Sequence, residues 1–154
     1  MSFDYYVAVR RDKWPTAQEV QDALERLSYP VSLESPSAEP FSVSVNLSVV
    51  FEGRPVALEA NVEKATEIDD GDTLWGYIAQ CSASNFLISN GDYFLTLTFR
   101  SDADQIRAGL YLAAAMILSF DGYGFENQFE SHGGTEFAQQ LATEAADVAA
   151  FETP

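Results

Sequence analysis

Carboxylates dominate the chemistry that this chain can offer. Aspartate and glutamate number 24, against eight lysines and arginines and a single histidine, for a net charge of −16. The densest group is the run Glu67-Ile68-Asp69-Asp70-Gly71-Asp72. Its hard oxygen ligands would suit Ca²⁺, but the spacing of an EF-hand, with its closing glutamate, is absent. Asp69, Asp70 and Asp72 therefore read as a solvated loop or as a surface for a partner, and no metal is assigned. Glu126 and Glu130 form a second pair. Two carboxylates flanking a sugar bond perform glycoside hydrolysis. On a strand, however, an even spacing merely sets both on one face, and among 24 acids such pairs arise by chance.

Other reactive side chains are sparse. His132 sits before Gly133-Gly134, with no second histidine to complete a metal site. It reads as an exposed loop residue. The lone Cys81 rules out an internal disulfide, and a free cysteine most often serves as a small core hydrophobe. The fingerprints GxGxxG, GxxxxGK[ST], GxSxG and HExxH are missing. No catalytic residue and no cofactor is assigned. Trp14, Trp75, Tyr77 and Tyr123 fall near element ends, where they would either anchor a protein interface or close the rim of the core.

The charge is unevenly spread. Residues 1–34 carry a net −2, residues 35–100 a net −6 and residues 101–154 a net −8. Such a field repels nucleic acid and anionic lipid and speeds encounter with a basic partner. Acidity of this kind also serves solubility alone. With 47% hydrophobic residues the chain is not a disordered acidic tail. The start MSFDYYVAVRRDKW shows no apolar run behind a basic segment, so no secretory signal is expected.

The elements that position these residues follow from periodicity. Phe3 to Arg10 reads as a first strand. Thr16 and Glu19 fit a capping box, followed by an apolar helical face of Val20, Leu24 and Leu27. Tyr29-Pro30 ends that helix, Val31 to Glu34 is a short strand and Ser35 to Pro40 a turn-rich connection. From Phe41 to Phe51, six apolar residues at spacing two predict one long strand, paired through a turn at Glu52-Gly53-Arg54 with Val56 to Val62. Leu74 to Cys81 fits a strand or a short helix. Asn90-Gly91 signals a hairpin from the run Phe86-Leu87-Ile88 into a strand at Tyr93 to Phe99. Ser101, with Asp102 and Asp104, opens a helix whose stretch from Ala108 to Phe120 is uncharged. Thirteen such residues are short of the roughly 20 that a bilayer needs, so this is a buried central helix. A strand at Tyr123 to Phe129, a loop at Ser131 to Gly134 and a last helix capped by Thr135 complete the chain, its stripe being Phe137, Leu141, Ala145 and Val148.

Residues 4–10 echo residues 92–100: Asp4-Tyr5-Tyr6-Val7 beside Asp92-Tyr93-Phe94-Leu95, each followed by a capped helix and another strand. The expected fold is a single α+β domain over residues 1–154. It has one mixed or mainly antiparallel sheet, about three helices mostly on one face, and two βαβ-like units flanking a long hairpin.

A tyrosine-rich first strand, then WPTAQEVQDAL at residues 14–24, a polar sheet, FRSDADQIRAGLYLAAA at residues 99–115 and a glycine-containing strand resemble small acidic bacterial immunity-type proteins found beside secreted toxins. The resemblance implies a cytoplasmic, non-catalytic protein that neutralises a toxin by binding it. The expected partner is a basic protein, met by Asp69, Asp70, Asp72, Trp75, Glu126 and Glu130. The competing expectation is a small-molecule-binding or enzymatic domain with a pocket between helices and sheet. A third is an oligomer that pairs through the edge of the long hairpin.

Overall fold

The computed structural model describes residues 3–81, 88–126 and 131–147, without the Cys81 side chain. Its framework is one sheet of seven strands in the order β2-β3-β4-β5-β1-β6-β7. These are β1 (Phe3–Val9), β2 (Val31–Leu33), β3 (Asn46–Phe51), β4 (Arg54–Lys64), β5 (Tyr93–Phe99), β6 (Tyr123–Glu126) and β7 (His132–Gly133). Every pairing is antiparallel. The helices are α1 (Ala17–Arg26), α2 (Leu74–Cys81), α3 (Ala103–Ser119) and α4 (Thr135–Ala146).

The two echoed strands are each other's partners. β1 and β5 lie side by side, with Val7 opposite Leu95. Those two residues are also equivalent in the sequence echo, so the repeat folds about a local two-fold between them. In β1-α1-β2 and in β5-α3-β6 the two strands run parallel, each helix crossing over to a strand that is not its neighbour. The β3–β4 hairpin lies between β5 and β2. This is the connectivity of a split βαβ pair with a hairpin inserted.

Alternation along the strands builds two cores. Odd-numbered residues of β1 and β5, such as Val7, Val9, Leu95, Leu97 and Phe99, join Leu58 and Ala60 of β4 under α1, α3 and α4. Even-numbered Tyr6, Ala8 and Phe94, with Tyr123 and Phe125 of β6, face the other way. There they meet Trp75 and Ile78 of α2, so three helices share one face and a fourth sits alone on the opposite one. α3 is the centre of the first core, buried from Arg107 to Ile117.

Local chemistry fixes the ends of the elements. Thr16 and Glu19 form the expected capping box, at 3.1 and 2.9 Å. The cap of α3 is Asp102 and not Ser101, because it is the Asp102 carboxylate that accepts the Gln105 amide at 3.0 Å. Thr135 is likewise the first residue of α4, and Gly134 stands at the cap without a side-chain bond. His132 and Gly133 pair with Phe125 and Gly124 as a short strand and do not form a loop.

The expected strand from Phe41 breaks at Val45, whose φ is +72°. Phe41 and Val43 still reach the core, and Val62 still donates to the Val43 carbonyl, but regular pairing begins at Asn46. Asn90-Gly91 does turn the chain, with Asp92 donating to the Ser89 carbonyl and φ of Gly91 at +93°. Of the run expected to pair across this turn, residues 86 and 87 lie outside the described residues. Tyr93 pairs with Val9 of β1 on one side and Lys64 of β4 on the other. Phe129, Glu130 and Val148 also lie outside the described residues.

Candidate functional site

The acidic run sits in an excursion between two paired strands. β4 ends at Lys64 and β5 starts at Tyr93, and the Ala65 amide donates to the Asp92 carbonyl at 2.7 Å. Ala65 also accepts from Gly91 at 2.9 Å, which closes the sheet behind the excursion. Asp92 is buried and accepts from the amides of Arg11 and Ser89 at 2.9 and 2.8 Å, pinning the return of the chain. The Ile68 amide donates to the Asn90 side chain at 3.0 Å.

Within that frame Thr73 opens α2, its hydroxyl accepting the Gly76 amide at 3.0 Å and donating to the Asp70 carbonyl at 2.8 Å. The loop folds so tightly on the first turn of α2 that a Cβ at Gly76 would strike the Asp70 carbonyl. Asp70 accepts the Asp72 amide at 2.9 Å. Glu67, Asp69, Asp70 and Asp72 are all exposed, with acidic groups beside the positive end of α2.

α2 sorts its side chains by helical spacing. Trp75 is 8% exposed and stacks on Phe94 at 4.3 Å and 21°, with Tyr6 edge-on at 6.3 Å. Its indole thus belongs to the second core and is turned away from any partner. Leu74 and Tyr77, three apart, project on the outer side at 43% and 46% exposure. Neither Leu74 nor Glu63 stands out in the sequence. Reading α2 as a helix is what separates the inner pair Trp75 and Ile78 from the outer pair, and that stretch fits a strand equally well.

Electrostatics isolate this patch. Basic side chains are engaged within the molecule. Lys13 pairs with Asp121, Arg54 with Asp104, Arg100 with Glu59 and Arg107 with Glu52. Arg26 donates to Ser119, Arg11 to the Asn90 carbonyl, and Lys64 lies over the Tyr93 ring. Among the described residues, Glu63, Glu67, Asp69, Asp70 and Asp72 take part in no ion pair. Nor does any group of three acidic, histidine or cysteine side chains among the described residues converge to hold a metal.

Glu126 lies elsewhere. It is the cross-strand neighbour of Tyr5 on the α3 face and accepts the Ser131 amide at 3.2 Å. Burial, then the charges of Glu144 and Glu126, push the Tyr5 hydroxyl up to about 12. His132 is exposed, and its Nδ1 lies 2.7 Å from the Tyr123 hydroxyl in a shallow cleft bordered by Glu136 and Gln140. Such a pair passes a proton, yet among the described residues no carboxylate hydrogen-bonds the imidazole to orient it.

The chain matches no protein-family model, no curated protein and no solved structure.

Proposed function

We propose that this chain is a non-catalytic binding protein of the immunity type, whose acidic surface takes up a basic protein partner such as a toxin with a cationic active site. One observation carries the reading. The carboxylates of residues 67–72 and Glu63 have no internal counter-charge among the described residues, and they adjoin two exposed apolar side chains, Leu74 and Tyr77. Apolar anchors ringed by unneutralised charge suit a partner that supplies the opposite charge, steering encounter and fixing register. Trp75 supports the patch from beneath. No helix among the described residues is long and apolar enough to cross a membrane.

The small-molecule alternative draws less support. The space between the helices and the sheet is filled by Leu95, Leu97, Leu112 and Met116, each almost wholly buried. The clefts that do open are at the surface.

The test titrates candidate basic toxin domains, including any that a neighbouring gene encodes, by calorimetry at low and high salt. Tight binding is expected. It should weaken roughly tenfold or more in the combined Asp69→Asn, Asp70→Asn, Asp72→Asn variant, and should weaken with salt. No binding, or binding indifferent to both changes, overturns the proposal.

A further inference from the structure

Among the described residues, the face of the sheet that carries α2 is covered over only half its width. α2 lies over Tyr6, Ala8 and Phe94, and no described element covers the continuation of those rows onto β4 and β3. Strand register places Tyr6, Thr96 and Asn61 in one row, and Asp4, Thr98 and Glu59 in the next. Glu63 shares this face, opposite Phe94. Along these two rows the floor is threonine, asparagine and carboxylate, and Arg100 beside them is bound to Glu59.

At the far end of the Tyr6–Thr96–Asn61 row stands Val45. Its φ of +72° is an outlier for a β-branched residue. The Asn46 amide donates to the Ser44 carbonyl at 2.9 Å, so Val45 is the centre of a γ-turn of the rare, strained hand. Two further bonds hold it: the Val45 amide to the Asn61 side chain at 3.1 Å, and the Ala60 amide to the Val45 carbonyl at 2.9 Å. The strain leaves the side chain 58% exposed, the most exposed large hydrophobic among the described residues. Strain that the surroundings enforce, at an exposed apolar residue, points to use.

We infer that the open half of this face is a docking surface for a cationic polypeptide segment, which crosses β5 and β4 from the acidic loop and seats an apolar side chain against Val45. Charge selects the occupant. A second copy of a chain with net charge −16 would bring carboxylates against carboxylates, and nucleic acid would be repelled likewise. A cationic segment meets Asp4, Glu63 and the loop together. This inference rests on the proposed function and extends its footprint by two strands, roughly 10 Å.

The test is an amide-shift titration with two synthetic peptides, one alternating lysine with leucine and one alternating lysine with glycine. The leucine peptide should shift residues 67–77 together with Val45, Asn61 and Thr96. Val45→Gly keeps the turn, because glycine adopts this φ freely, and should weaken the leucine peptide roughly tenfold while leaving the glycine peptide unchanged. Val45→Asn, which also tolerates positive φ, should behave the same way. Shifts confined to residues 67–77, with Val45→Gly binding like the parent, would overturn the extended footprint and leave the proposed function standing. Failure of both peptides to bind would overturn both.

Discussion

Tyr5 and Tyr6 are adjacent in sequence and face opposite sides of the sheet, yet both hydroxyls are pushed up to about 12. Burial is the first cause for each. Glu144 and Glu126 add to it at Tyr5, and the charge and hydrogen bond of Asp4, then Glu63, at Tyr6. An unfolded tyrosine ionises near pH 10. Because the folded values are raised, the stability these residues contribute is complete below about pH 10 and is lost as pH rises through about 12. Urea midpoints measured across that window should fall steeply, and more gently in Tyr5→Phe and Tyr6→Phe. Equal slopes in parent and variants would refute the assignment. Other residues show what local spacing conceals. Arg107, just ahead of an uncharged run, carries no local signal of burial. It is nevertheless buried, donating to the Ala145 carbonyl at 2.8 Å and to Glu52 at 3.0 Å, over the Phe51 ring. Its partners are far away in sequence, so no periodicity reports them.

α3 shows how an element is placed by its smallest residue. A Cβ at Gly109 would collide with the ring of Phe99, which is wholly buried in β5. Alanine would raise helix propensity by about 1 kcal/mol, but overpacking a rigid core site costs roughly 1–3 kcal/mol. Gly109→Ala should therefore lower the denaturant midpoint with an unchanged slope, and a raised midpoint would contradict the close approach. The apolar run and its small residues made this helix legible in advance, as the capping box did α1. α2 was not legible. Its eight residues are apolar on nearly every side, so periods of two and of 3.6 fit alike. The strand from Phe41 misled for the opposite reason: its alternation is real and its residues do reach the core, but the turn at Val45 is held by Asn61, sixteen residues on.

The whole molecule is shaped by an excess of charge that its own bases do not offset. Self-repulsion at net −16 opposes the compact state, and salt screens it. Added sodium chloride should therefore raise the melting temperature, by about 2–4 °C for each kcal/mol regained in a chain near this size. A fall would show that the internal ion pairs outweigh the repulsion. At this scale the α+β class, a layer of three helices on one face and the two βαβ-like units were legible, because alternation and caps are local, while the fourth helix, α2 on the opposite face, goes beyond the three expected. The order of the strands was not, since the sequence does not reveal that the two echoed strands pair with each other. Ala65 and Asp92 are hydrogen-bonded neighbours, so the chain leaves the sheet after Ala65 and returns to the same place at Asp92. Lengthening, shortening or replacing that segment shifts no strand register. The loop's acids and the outer face of α2 can be exchanged as a cassette, provided the replacement still seals Phe94 and Tyr6. A lineage matched against a changing adversary would keep the scaffold and rewrite the cassette.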